Sequence, residues 1–121
     1  MDAFFLTAAA LCIVTAFIHS YFGERRLIRP LIGSNHGVMS ADLAKQVVRF
    51  AWHWTSLLWI LVALYLISAA RSDNHSHWLV LLVGVVHLVA GCIDGVITKG
   101  KHIGWPPITL IGVLVFLGIL V

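Results

Sequence analysis

The chain has 121 residues, 60% of them hydrophobic and 11% charged, with a formal net charge of +3 at pH 7. A soluble domain carries roughly 25% charged residues. This chain therefore has too few polar groups to coat a water-facing surface, which excludes disorder, a coiled coil and an ordinary soluble domain.

A mean hydropathy of +0.98 identifies the bilayer as its solvent. A membrane-crossing helix needs about 20 mostly apolar residues, and four stretches qualify: 3–21, 48–70, 78–97 and 103–121. The expected fold is an all-α membrane protein, a four-transmembrane-helix bundle running up-down-up-down as one integral membrane domain.

The first stretch has no Lys or Arg before Arg25. It lacks the positive opening of a cleaved signal peptide, so a retained crossing is expected. Residues 22–47 follow as a loop with a helical extension. Pro30 and the run Gly33-Ser34-Asn35-His36-Gly37 mark the loop. Ser40 and Asp42 then mark a helix start, with Ser40 as the cap. The third stretch follows a short polar loop over 71–77. Residues 98–102 form a second short loop, and Pro106-Pro107 sit where a helix tolerates proline, in its first turn.

Positive charge sets the orientation. Arg25, Arg26, Arg29, Lys45, Arg49, Lys99 and Lys101 fall on one side, and Arg71 alone falls on the other. The loops at 22–47 and 98–102 are therefore expected in the cytoplasm, with both termini on the non-cytoplasmic side of a bacterial inner membrane. The basic residues flank apolar segments and form no stripe interleaved with aromatics, so nucleic acid is not an expected partner. The expected partners are the lipid bilayer and a homo-oligomer or larger membrane complex. Trp52, Trp54, Trp78 and Trp105 fall near the boundaries, where an aromatic belt belongs. Cys12 and Cys92 lie in apolar runs and read as small buried side chains, not a disulfide.

Helical spacing draws one small or polar stripe on each of three segments. These are Ala8, Cys12, Thr15 and His19; Arg49, His53, Ser56, Ile60 and Ala63; and Gly84, His87, Gly91, Asp94 and Thr98. Each is expected to face inward. For the small residues, close helix packing accounts for this fully. Intramembrane histidine and aspartate are costly and ask for a partner or a task. His19, His53 and Asp94 all lie about 3–6 Å inside the cytoplasmic ends of their segments, and His87 lies roughly 10 Å deeper.

Three chemistries fit such a set. The first is a transition metal (Zn, Fe or Cu) held by His19, His53 and Asp94, with Glu24 and His102 as additional ligands, for redox or hydrolytic work on a membrane-soluble substrate. No local motif fixes that spacing, and a plain hydrogen-bonded histidine is the bland account. The second is haem between His19 and His53, or on His87 between Gly84 and Gly91. The third is a lipid headgroup held by Arg25, Arg26 and Arg49. Arg49 has a further use as a partner for Glu24 or Asp94. Against all three stands a non-catalytic accessory subunit whose polar groups only lock helices together. A proton relay along His87, Asp94 and His102 needs an oligomer to make room for it.

His19-Ser-Tyr-Phe-Gly-Glu24-Arg25-Arg26, Arg49-Phe-Ala-Trp-His53 and Gly100-Lys-His102-Ile-Gly-Trp105-Pro106 give the chain a resemblance to small four-helix bacterial inner-membrane proteins. The resemblance implies the topology and carries no activity or catalytic residue.

Overall fold

The computed structural model describes residues 3–72 and 74–121; Met1, Asp2 and Asp73 lie outside the described residues. Among the described residues the chain is all helical, with four long helices and no strand. Helix α1 (Ala3–Gly23) passes through one π-helical turn (Glu24–Ile28) into α2 (Arg29–Gly33). A short 3₁₀ turn (Gly37–Ser40) leads to α3 (Asp42–Arg71), followed by α4 (His77–Ile97) and α5 (Trp105–Leu120). The continuous helix Ala3–Gly33, α3 and α4 are each long and apolar enough to cross a membrane. Helix α5 is as apolar but has 16 residues, which span about 24 Å of the ~30 Å hydrocarbon core.

Two expectations need correction. Residues 22–33, read as loop from Pro30 and Gly33, continue the first helix instead. The π turn explains how. Proline lacks an N–H, and its ring collides with the carbonyl four residues back. Here the Arg29 N–H donates to Glu24 O, five residues back, and the wider turn admits Pro30 near the start of a new α segment. Ser40 is not the cap of α3: its Oγ donates to Gly37 O at 2.8 Å, and Ala41 holds the cap position without a side-chain bond. The last helix starts at Trp105, with Pro106 and Pro107 in its first turn as expected, after a connecting turn in which Lys99 and Gly100 take positive φ (52° and 73°).

The striped faces turn inward in their middle parts, while Arg49 is exposed and His19, His53, Asp94 and Thr98 are half-buried. Ala8, Cys12 and Thr15 are buried on α1, Ser56 and Ala63 on α3, and Gly84, His87 and Gly91 on α4. Most of the outer face is apolar too: Phe17, Phe50, Leu61, Trp78 and Val96 are all exposed. Apolar residues on both the inside and the outside fit a lipid solvent. Trp54 and Trp78 stand outward as belt residues do. Trp52 and Trp105 instead fold back onto Gly23 and Gly95.

Neighbour relations position everything that follows. Helix α1 packs against α3 on one side and α5 on the other, and α5 packs along α4. Helices α3 and α4 scarcely touch. The α4–α5 approach is close because glycines line it: a Cβ at Gly91 would strike the Thr109 backbone, and one at Gly112 would strike the Leu88 and Gly84 backbones.

Candidate functional site

The polar residues of the first two crossings meet along the α1–α3 seam. His19 Nδ1 lies 3.0 Å from Ser56 Oγ. Its ring stacks on Trp52, with centroids 4.1 Å apart and planes 11° apart, and Trp59 meets it edge-on at 5.2 Å. Trp52 is anchored in turn by its Nε1–H, which donates to His19 O at 3.1 Å. Only a residue without a side chain admits the indole at position 23, since a Cβ on Gly23 would overlap it.

One turn further along, His53 bridges two groups of α1 and its extension. Its Nδ1 lies 2.6 Å from Ser20 Oγ and its Nε2 lies 3.3 Å from Glu24 Oε2. A carboxylate only accepts, so Nε2 carries the proton, and in the neutral ring Ser20 donates to Nδ1. Glu24 also receives Arg49 at 3.0 Å and Arg29 at 3.3 Å. Three donors thus converge on one carboxylate and tie the start of α3 to the π turn. Of the two partners expected for Arg49, Glu24 is the one it meets.

Asp94 belongs to a different cluster. Its Oδ2 lies 2.6 Å from His102 Nδ1, and its backbone carbonyl accepts from Thr98 Oγ1 at 2.6 Å. His19, His53 and Asp94 therefore have separate partners and do not form one ligand set. Glu24 goes with His53, and His102 with Asp94. Among the described residues no group of three or more His, Cys, Asp and Glu side chains lies within reach of one ion. The reason is lateral: Asp94 is on α4, which neighbours α5, while His53 is on α3, which neighbours α1. Equal depth in the membrane does not bring them together.

His87 lines an apolar space of about 410 Å³ between α3 and α4, but the two glycines expected to make room beside it on its own helix do not open it. The space at Gly84 is closed by Val115 and Phe116, and that at Gly91 by Thr109, all from α5. Its Nδ1–H donates to Val83 O of its own helix at 2.8 Å, and its buried Nε2 has no partner among the described residues. Of the expected headgroup residues, Arg49 is committed to Glu24, and Arg25 donates to Tyr21 Oη at 2.8 Å. Arg26 lies over the Phe22 ring, 5.1 Å from its centre, and among the described residues has no acidic partner.

The two imidazoles that do share a space are His19 and His102. Both line an apolar pocket of about 360 Å³ walled by α1, α3 and the start of α5. Its lining along α1 runs from Leu11 to Leu27, a length of roughly 24 Å. The end away from Arg26 is lined by Leu11, Val14, Ile18 and Ile108, and Trp59 forms one wall. Arg26 and His102 belong to the mouth. Thr15 also lines the pocket, and its buried Oγ1 has no partner. Among the described residues each imidazole has its Nδ1 engaged by protein and its Nε2 unengaged.

Sequence reasoning passed over Ser20, Gly23 and Trp59. Ser20 and Gly23 fall outside any one stripe, and their signal was only adjacency to His19 and Glu24. Trp59 lies mid-segment, away from the belts, and an indole that deep is a hint of a walled space. Comparison with known protein families, curated proteins and solved structures finds no match for this chain.

Proposed function

We propose that this protein is a four-crossing membrane protein that binds an anionic lipid in the pocket between α1, α3 and α5. The short α5 makes the fourth crossing, packed between α1 and α4. The excess of Lys and Arg beside the pocket mouth puts that mouth in the cytoplasmic leaflet and both termini on the other side of a bacterial inner membrane.

The observation that carries the reading is the Arg26 guanidinium, without an acidic partner among the described residues, at the mouth of a mostly apolar pocket. Glu24 is already engaged by Arg29, Arg49 and His53, and among the described residues Arg26 has no acidic partner. An acyl chain suits the roughly 24 Å of apolar lining, and a phosphate suits the guanidinium, which presents paired donors to it. A metal is less well served, since the histidines and acids pair off two by two.

The test is the lipid that stays bound after purification in mild detergent, read by native mass spectrometry. Wild-type protein is expected to retain about one anionic phospholipid per chain. Arg26→Ala should lower that occupancy about fivefold, in line with ~1 kcal/mol for one basic residue at a headgroup. Arg71→Ala, on the opposite side, should leave it unchanged. Wild-type protein free of anionic lipid, or equal retention by Arg26→Ala, would refute the reading.

A further inference from the structure

Two groups at the pocket mouth have complementary demands. Arg26 offers only donors, and among the described residues it lies over the Phe22 ring with no acidic partner. His102 offers the opposite. Its Nδ1 lies 2.6 Å from Asp94 Oδ2, and because an ionised carboxylate has no proton to give, the ring proton sits on Nδ1. In the neutral ring Nε2 is then a bare acceptor. His102 lines the same pocket as Arg26. Thr98 steadies the arrangement: its Oγ1 donates to Asp94 O at 2.6 Å and accepts the His102 backbone N–H at 3.4 Å. The tautomer of His19 is not fixed in this way, because its partner Ser56 is a hydroxyl that either donates or accepts.

From this pairing, and resting on the lipid-site reading above, we infer that the pocket selects a lipid whose anionic head still carries a hydrogen-bond donor, namely a phosphate monoester. A singly ionised phosphomonoester has a P–OH to donate to His102 Nε2 and further oxygens to accept from Arg26. A phosphodiester whose second ester is a plain alkyl group carries the same single charge and the same acceptors but no donor. It would leave Nε2 facing the head with nothing to accept. Sites built to hydrogen-bond a substrate hydroxyl reject analogues that lack it because a polar group is left unpaired. Asp94 is thus a positioning residue. It acts on the ligand only through the tautomer it imposes on His102.

The experiment reconstitutes the full-length protein at pH 7 with equal amounts of phosphatidic acid, which there still holds part of its second proton, and phosphatidylmethanol of identical acyl chains. The bound fraction is read by native mass spectrometry. Wild-type protein should hold phosphatidic acid about fivefold or more over phosphatidylmethanol. Asp94→Leu, which cannot accept from Nδ1 and so frees the ring proton to move to Nε2, should bring the ratio close to one. His102→Ala should do the same by removing the acceptor, and its position in an exposed turn makes it a second route if Asp94→Leu folds poorly. Arg26→Ala should weaken both lipids together and keep the ratio. Equal binding of the two lipids by wild type, or a preference that survives in both Asp94→Leu and His102→Ala, would overturn the inference while leaving the lipid site standing. Retention of neither lipid by wild type would remove the site itself.

Discussion

Glu24→Ala will loosen α3 from α1 and lower the thermal midpoint of the detergent-solubilised protein more than any other single polar substitution on this side. Glu24 is the one acceptor shared by Arg29, Arg49 and His53. Deleting it leaves three donors gathered around nothing, and two of them are cations. Water offsets part of the loss, since the Arg29 and Arg49 side chains are 65% and 48% exposed. Surface pairs alone are worth 0–1 kcal/mol, whereas hydrogen bonds to a charged group reach about 1.5–3 kcal/mol. The Glu24 carboxylate is only 16% exposed, so the expected cost lies between these, at about 2 kcal/mol. Glu24→Gln keeps one acceptor oxygen and should fall in between. A cycle with Arg49→Ala separates pair from residue: if the two act together, the double variant will cost less than the sum. A Glu24→Ala protein that melts with the wild type would show that the cluster contributes nothing net.

The stripes on α1, α3 and α4 were legible because burial in a helix repeats every three to four residues, and Cys12, Thr15, Ser56, Gly84 and Gly91 obey that rhythm. Which stripe faces which was not. Periodicity fixes a face and sequence position fixes a depth, but neither says which helix lies alongside. His53 and Asp94 share a depth in the sequence reading and still have different neighbours, because α4 lies along α5 and α3 lies along α1. Composition misled at residues 22–33 for a different reason. Pro30 and Gly33 break an ideal α-helix, and one π turn removes the conflict at a cost that no residue count registers. The positive charge beside the first segment was visible as five residues of one sign. Their division of labour was not. Arg29 and Arg49 are used up on Glu24, Lys45 on Asp42 and Arg25 on Tyr21, and of the five Arg26 alone has no such partner among the described residues.

Gly91→Leu will be the most damaging substitution in the membrane part, although it touches no residue of the pocket. The side chain would enter the α4–α5 interface where Thr109 presents its backbone nitrogen and Cα. A flexible side chain yields to such an intrusion, but a helix backbone moves only as a whole. Overpacking a well-filled interior costs 1–3 kcal/mol and occasionally more, and a clash against backbone belongs at the upper end, about 3 kcal/mol. The control at Gly95 separates size from place. A Cβ there would meet the Trp105 ring at 3.3 Å, a neighbour that can tilt, so Gly95→Ala should cost well under 1 kcal/mol. Gly33→Ala meets nothing within 4 Å and should be neutral or slightly stabilising, since alanine restricts the unfolded chain. Loss of the α4–α5 fit also reaches the ligand. Helix α5 opens with Pro107 and Ile108, which line the lipid pocket, and the turn before it carries His102. A displaced α5 therefore widens that wall, and Gly91→Leu should release bound lipid along with its drop in thermal midpoint. A variant that melts early yet holds its lipid as tightly as wild type would mean that α5 is not a wall of the site.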